Sequence, residues 1–412
     1  MKNEKGQAAA PRRSIGAGSA ASYVLIAASV VLAWQIVIQP LLQRAPVGAA
    51  IRLAPTSPLV LRRAAESELA AGRTDNAAAL SRDALGRAPF DVRALRVAGL
   101  AEAQEGREEL ADSLLTLAGN WSLRDDPAHA WLVQHRLKQG NYGSSFAHAD
   151  TLARRREDVR PQIFRLFTLA GAKDPQRALP VIVGLLAAAP PWRWDYLGSL
   201  SENPQDLTVA IQLAIMLQST PEPLSNNELK RLYNTLLSKR QYAALGAVRT
   251  QLNRPVRSAV TNGGFADADA PEPFQWRLAQ EAGVVAEIVA DDLRPDNPAL
   301  RVDYDGYANA SVAQQLTFLP AGAYRFTAET RIEAGDADRL AWTLVCVPGG
   351  REITAFSAGA RASTRTAWTT LSAEFQIPAN CPAQWLRLET RAGDHRSPVV
   401  VWFDRIAVSP LG

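Results

Sequence analysis

Three regimes of hydrophobic patterning follow one another along this chain. The first is continuous: Ala20 to Leu42 reads AASYVLIAASVVLAWQIVIQPLL, 23 residues without Asp, Glu, Lys or Arg. A helix needs about 20 such residues to cross a bilayer, so the stretch predicts a transmembrane helix over 19–43. From about Ala45 to Arg254 apolar residues recur at helical spacing, as in Leu59, Val60, Leu61, Ala64, Ala65 and Leu69. Beyond Ser258 the period becomes two. Tyr324, Phe326, Ala328 and Ile332 alternate with polar residues, as do Leu371, Ala373, Phe375 and Ile377, and then Leu386 and Leu388. Alternation of this kind predicts strands with one wet face and one packed face. The expected fold is therefore multidomain: a transmembrane helix, an all-α solenoid over 45–254, and an all-β antiparallel sandwich over 258–412. Turns at Gly322, Gly335-Asp336, Gly349-Gly350 and Gly393-Asp394 separate about eight strand runs, which suits a jelly roll.

Within the helical region the informative feature is a spacing. Gly72, Gly106 and Gly140 lie 34 residues apart, and Ala54-Pro55 recurs as Ala88-Pro89. Each Gly ends one helix where a left-handed backbone is needed, and a second helix with small residues follows (Ala77 and Ala84, then Ala111 and Ala118). Small residues at those offsets let the paired helices approach closely. A fixed period in this range signals stacked helical hairpins, about six here. The units resemble the tetratricopeptide family, with Gly99, Ala111 and Ala118 at its small-residue positions and aliphatic residues in place of its early Trp and tight-turn aromatic. After Arg156 the register loosens, and order returns at a capping box, Ser225-Asn226-Asn227-Glu228. The resemblance implies a groove for a protein partner, with Asn76, Asn141 and Arg165 as candidate lining. A spacer that lifts the terminal domain off the membrane is the other reading.

Charge sets the topology. Lys2, Lys5, Arg12 and Arg13 precede the apolar stretch against one acid, Glu4, whereas only Arg44 follows closely. The basic tail (1–18) is thus expected in the cytoplasm and the remainder outside it, in the periplasm of a Gram-negative cell. A cleaved signal peptide is the competing reading; the apolar core is longer than the usual 7–15 residues. The net charge of +4 is spread out and no basic run is interleaved with aromatics, so nucleic acid is not an expected partner. Arg154-Arg155-Arg156 reads first as a solvated helix end. Cys346 and Cys381 are the only cysteines, and in an oxidising compartment they read as one disulfide.

In the last third, Thr261-Asn262-Gly263-Gly264-Phe265 with Pro273-Phe274-Gln275-Trp276, then Leu319-Pro320-Ala321-Gly322-Ala323-Tyr324-Arg325-Phe326, and finally Val401-Trp402-Phe403-Asp404-Arg405-Ile406 resemble the opening, a hairpin and the closing strand of galactose-binding-like carbohydrate-binding modules. The resemblance implies a sandwich that binds polysaccharide. The family often holds a structural calcium with an acid directly after the first Phe; here that place is Ala266, and Asp267 and Asp269 are the nearest substitutes. Asp404 shares its strand parity with Trp402, Ile406 and Val408, so it needs a partner, either the Asn262–Phe265 turn or a metal. A sugar site needs an aromatic plane with polar groups beside it. Strand parity offers Trp368 and Trp385, a loop offers Tyr307, and Asn309 and Arg387 are their polar neighbours; packing at the sandwich rim is the alternative for each. Trp276, Trp342 and Phe326 are assigned to the core. No nucleotide loop, metal-binding His pair or nucleophile elbow occurs, and His129, His135, His148 and His395 read as surface or groove residues. The expectation is a non-enzymatic, cofactor-free membrane protein of the cell envelope, a scaffold that holds a protein and a glycan or an adaptor that binds protein alone.

Overall fold

The computed structural model describes residues 17–200, 204–252, 259–267, 270–359 and 367–411. The basic residues of the tail, most of the 253–262 linker and Asp269 lie outside these. The chain forms two compact units, Met1–Arg155 and Arg156–Gly412.

The first unit is helical: α1 (Ala17–Arg44), α2 (Val47–Leu53), α3 (Pro58–Ala70), α4 (Thr74–Arg87), α5 (Val92–Gln104), α6 (Glu108–Trp121), α7 (Asp126–Lys138) and α8 (Tyr142–Arg155). Among the described residues only α1 is long and apolar enough to cross a membrane. The first helices of three hairpins begin at 58, 92 and 126 and their partners at 74, 108 and 142, a step of 34 throughout. The three glycines close the first helices identically. Gly72, Gly106 and Gly140 sit at φ of 73°, 76° and 69°. In each case the next residue's N–H reaches back to the carbonyl of Glu68, Glu102 or Arg136 at 2.9–3.0 Å. Ala77, Ala84, Ala111 and Ala118 are fully buried, and a Cβ on Gly99 would meet Leu115 at 2.6 Å. Small side chains do set the helix approach.

Ion pairs repeat with the backbone. Arg62–Asp91 and Arg73–Glu68 in one unit recur as Arg96–Asp125 and Arg107–Glu102 in the next. Two of the residues expected to line a groove, both exposed, also make local hydrogen bonds. Asn76 donates to Glu68 at 3.2 Å, and Asn141 caps α8 by accepting from Ser144 N at 3.1 Å. Each Arg of the 154–156 cluster faces its own carboxylate, on Asp150, Asp126 and Asp158.

The histidines require a correction: His129 and His135 are buried, at 1% and 7% exposure. His129 Nδ1 faces His148 Nδ1 at 3.0 Å, and His129 Nε2 lies 3.3 Å from the Ser122 carbonyl. Helical spacing alone could not show this, because the pair joins α7 to α8. Burial holds both rings below the usual imidazole range, and the neighbouring imidazole and Arg136 push His148 down to about 4 against Asp112. Asp125 and Asp126 oppose the shift at His129 and Arg155 reinforces it. Both groups bind protons more readily in the unfolded chain. Stability is therefore complete above about pH 6.5 and declines as pH falls toward 4. Melting of the protein between pH 7.5 and 4.5 is expected to show this slope, and His148→Gln to flatten it.

The second unit begins with α9 (Arg160–Lys173), α10 (Pro175–Ala187), α11 (Arg193–Ser199), α12 (Pro204–Leu217), α13 (Asn226–Ser238) and α14 (Tyr242–Gln251). The 34-residue stacking gives way here: α12 packs on α9 and α10, and α11 on α13. The capping box forms as expected, with Glu228 N donating to Ser225 Oγ at 3.3 Å and Ser225 N to Glu228 Oε2 at 2.8 Å. At the end of α13 the closing turn of the earlier hairpins returns without its glycine. Arg240 holds φ 58° while Gln241 N reaches the Leu236 carbonyl at 2.8 Å. A left-handed non-glycine residue costs about 1–2 kcal/mol. Arg240→Gly is expected to stabilise the protein by about 1 kcal/mol, read as an upward shift of the urea midpoint; no shift would show that Arg240 has compensating contacts.

The sandwich has strands β1 (Arg277–Leu278), β2 (Gln280–Glu281), β3 (Val284–Asp291), β4 (Arg294–Tyr304), β5 (Ser311–Thr317), β6 (Gly322–Ala334), β7 (Leu340–Cys346), β8 (Glu352–Ser357), β9 (Thr369–Ile377), β10 (Gln384–Thr390) and β11 (Val399–Pro410). All pairings are antiparallel, in a five-stranded sheet ordered β1-β5-β10-β7-β8 and a six-stranded sheet ordered β2-β3-β4-β11-β6-β9. Trp276, Phe326, Trp342 and Phe403 pack between them. Cys346 and Cys381 form the disulfide, tying the end of β7 to the β9–β10 connection. The opening turn needs its glycine, since a Cβ on Gly263 would lie 1.9 Å from the Ile406 carbonyl oxygen.

Asp404 does not share a face with Ile406 and Val408. The β11–β6 register shifts between Asp404 and Ala407, with Arg405 at φ 48°. This bulge reverses parity, so Val401, Phe403, Ile406 and Val408 enter the core while Trp402 and Asp404 face outward. Fully buried on that outer face, Asp404 accepts from Asn297 Nδ2 at 2.8 Å and Arg405 N at 2.7 Å, with Arg294 at 3.5 Å. Its partners are thus these groups rather than the Asn262–Phe265 turn. No cluster of three potential metal ligands occurs among the described residues.

Candidate functional site

Helices α13 and α14 pack on the sandwich. Phe274, 3% exposed, is not part of the intersheet core. Its ring lies 5.0 Å from Tyr233 and 6.0 Å from Phe318, under the Arg249 guanidinium at 4.3 Å. Arg249 donates to Thr261 at 2.9 Å, and Lys230 pairs with Glu272 at 3.0 Å.

Beside this contact α13 and the outer face of the five-stranded sheet enclose a cleft of about 260 Å³, lined by Lys230, Asn234, Glu272, Pro273, Arg277, Gln314 and Trp385. Register explains the sheet's contribution. Arg277, Gln314, Arg387 and Thr343 stand side by side across β1, β5, β10 and β7, and Trp385 follows Arg387 on the same face two residues along β10. The Arg387 guanidinium lies 6.0 Å from the Trp385 ring. Arg387 Nε and Thr343 Oγ1 are buried with no hydrogen-bond partner among the described residues. The cleft thus offers a half-buried indole, two amides, two cations and one carboxylate. Such a set can stack on the apolar face of a pyranose while pairing with its hydroxyls.

The five residues expected to form one site are dispersed over three places. Trp385 and Arg387 share the face just described. Tyr307, 68% exposed, and Asn309 lie in the β4–β5 loop. There Asn309 Oδ1 accepts from Ala392 N at 2.9 Å, beyond the far end of β10, whose run from Trp385 to Thr390 alone covers roughly 17 Å at about 3.3 Å per residue. Trp368 precedes β9 in the other sheet, its Nε1 donating to Asp291 at 2.8 Å and its ring covered by Arg294 at 4.6 Å. It is held in an ion-pair network, half-buried, with Arg294 against its ring. The sequence reasoning missed Lys230, Asn234, Arg277 and Gln314. In the β5 run Gln314 shares its parity with Val312 and Leu316, so alternation does not mark it as outward-facing, and nothing local places a helix residue opposite it.

No family model and no curated protein matches this chain. Solved structures do. It is similar to a CBM4 module (14% identity over 37% of this chain and 99% of that one, TM-score 0.29). It is also similar to TmCBM61 in complex with β-1,4-galactotriose (20%, covering 37% and 99%, TM-score 0.27), and to the xylan-binding domain of CBM22 (18%, covering 38% and 98%, TM-score 0.27). All three are carbohydrate-binding-module β-sandwiches, the architecture of the C-terminal part of this chain.

Proposed function

We propose that the protein is a membrane-anchored, extracytoplasmic scaffold whose sandwich binds a glycan and whose helical unit, read as tetratricopeptide-like, binds a protein partner. It acts without catalysis in envelope or exopolysaccharide assembly. The Trp385 cleft carries the reading, because an aromatic wall beside amides and cations is chemistry for a sugar ring. In support of the anchor, α1 carries no charged residue from Ser22 to Gln43 and is long and apolar enough to cross a membrane, and the tail before it is basic.

Titration of the detergent-solubilised full chain against a panel of envelope and exported polysaccharides tests the glycan arm. Trp385→Ala is expected to weaken binding about tenfold, the equivalent of about 1.4 kcal/mol, whereas Trp368→Ala leaves the affinity unchanged. Binding lost with Trp368 rather than Trp385 would move the site to the other sheet. No binding across the panel would leave a protein-only adaptor.

A further inference from the structure

One edge of the first unit carries apolar side chains that its own packing leaves in solvent. Leu53 ends α2, Phe90 lies between α4 and α5, Trp121 ends α6 and Leu123 follows it; their exposures are 76%, 79%, 43% and 64%. The α4–α5 and α6–α7 connections are equivalent points of the 34-residue step, so they share an edge, and the Phe90 and Trp121 rings lie 5.4 Å apart. Helix α1 arrives at this edge. Leu42 packs with Ala50 and Val60, and Arg63 donates to the carbonyls of Leu42 and Ala45. Leu61 in turn packs with Ala84 and Ala94, which brings the end of α4 and the start of α5 beside the first turns of α3.

The charges around the patch are mainly positive, with Asp83 exposed one turn before Arg87. Arg44, Arg52, Arg87, Arg93 and Arg124 are exposed, and none forms an ion pair among the described residues. Other carboxylates of the same edge are engaged: Asp91 with Arg62, Asp125 with Arg96, and Asp126 with Arg155. Asp91 and Asp125 also cap α5 and α7. Exposed aromatic and aliphatic residues ringed by unpaired arginines match the headgroup layer of a bilayer. Only Ala45 and Pro46 separate α1 from α2, so this edge cannot stand far from where α1 leaves the hydrocarbon. We propose that the Leu53–Phe90–Trp121–Leu123 edge lies in the headgroup layer of the membrane that α1 enters and binds anionic lipid. The proposal rests on the anchor reading of α1.

The test uses the full chain in proteoliposomes, with nitroxide labels on Ile26→Cys, Phe90→Cys, Leu123→Cys and Lys138→Cys in separate variants. Both native cysteines are held in the disulfide. Collision with oxygen and with a water-soluble nickel complex reports depth. In vesicles containing phosphatidylglycerol, the label at 26 is expected in the hydrocarbon and those at 90 and 123 at headgroup depth, with nickel access reduced severalfold relative to 138. Arg87→Glu, Arg93→Glu and Arg124→Glu together, or pure phosphatidylcholine, should return the label at 90 to water. An embedded label at 26 with 90 and 123 as accessible as 138 would overturn the proposal and leave the anchor standing. A label at 26 in water would remove the anchor and the proposal together. Protection at 90 that rises with the protein-to-lipid ratio would assign the patch to a second copy, and the lipid proposal would fall.

Discussion

Replacing Arg193 with Ala is expected to destabilise the second unit by about 3–5 kcal/mol, the range for breaking a buried pair from one side. Arg193 is 8% exposed. Its Nε and Nη2 meet the two oxygens of Glu228 at 2.8 and 3.0 Å, and its remaining donors reach the carbonyls of Leu186, Glu222 and Pro223 at 2.9–3.2 Å. One side chain thus joins the end of α10, the start of α11 and the cap of α13. Burial by itself would raise the Glu228 pKa, but Arg193 and Ser225 hold it below the usual carboxylate range. In Arg193→Ala the carboxylate keeps the burial and loses its strongest partner, and three carbonyls lose a donor. Arg193→Met with Glu228→Leu should recover a large part of the loss, since removing both charges leaves no uncompensated ion. Urea unfolding of the two variants checks this. A single-variant loss below about 1 kcal/mol would mean that the pair behaves like an exposed one.

A comparable loss, again about 3–5 kcal/mol, is expected for Arg331→Ala in the sandwich. Arg331 is 4% exposed and sits between the fully buried Asp291 and the exposed Asp292, at 2.7 Å from each, with the Trp402 ring 4.8 Å away. Burial raises the Asp291 pKa, and the Trp368 indole, Asp292, the Leu293 backbone and Arg331 together outweigh it, so the group titrates below its ordinary value. A depressed carboxylate contributes stability that is present above its unfolded pKa of about 3.9 and lost as pH falls through the folded value. Without Arg331 the burial effect gains weight and the Asp291 pKa rises. The gap between variant and wild type should then narrow on acidification from pH 7 to 4, as the variant's carboxyl takes up its proton. A gap independent of pH would show that Arg331 acts by packing on Trp402 alone.

The parts legible in the sequence share one property: their signal is carried within a helix, a strand or one hairpin. Gly72, Gly106 and Gly140 announce their turns because only a few residues decide a left-handed helix end. Tyr324 to Ile332 shows its buried face because strand parity is local, as is the reach of the Ser225–Glu228 box. Parity failed where one residue changed the count. The bulge at Arg405 turns Ile406 inward and Asp404 outward, and an Arg at a left-handed position is not a bulge signal that residue type reveals.

Placement across long separations was the other failure. Pro273-Phe274-Gln275-Trp276 reads as a single apolar phrase. Trp276 enters the sandwich core, whereas Phe274 leaves it to meet Tyr233 and Arg249. Trp368, Trp385 and Tyr307 looked alike as polar-face or loop aromatics, yet an ion-pair network claims the first, a cleft the second and solvent the third. By itself the sequence determined the order of elements, the 34-residue step, the two-residue alternation and the single disulfide, because backbone periodicity and turn chemistry act over a few residues. Only the tertiary structure decided that α13 stands opposite Trp385, that His129 is buried against His148, and that Arg63 holds the end of α1. Those contacts depend on how the hairpins and sheets pack, and residues far apart in the chain carry no local mark of who their neighbour will be.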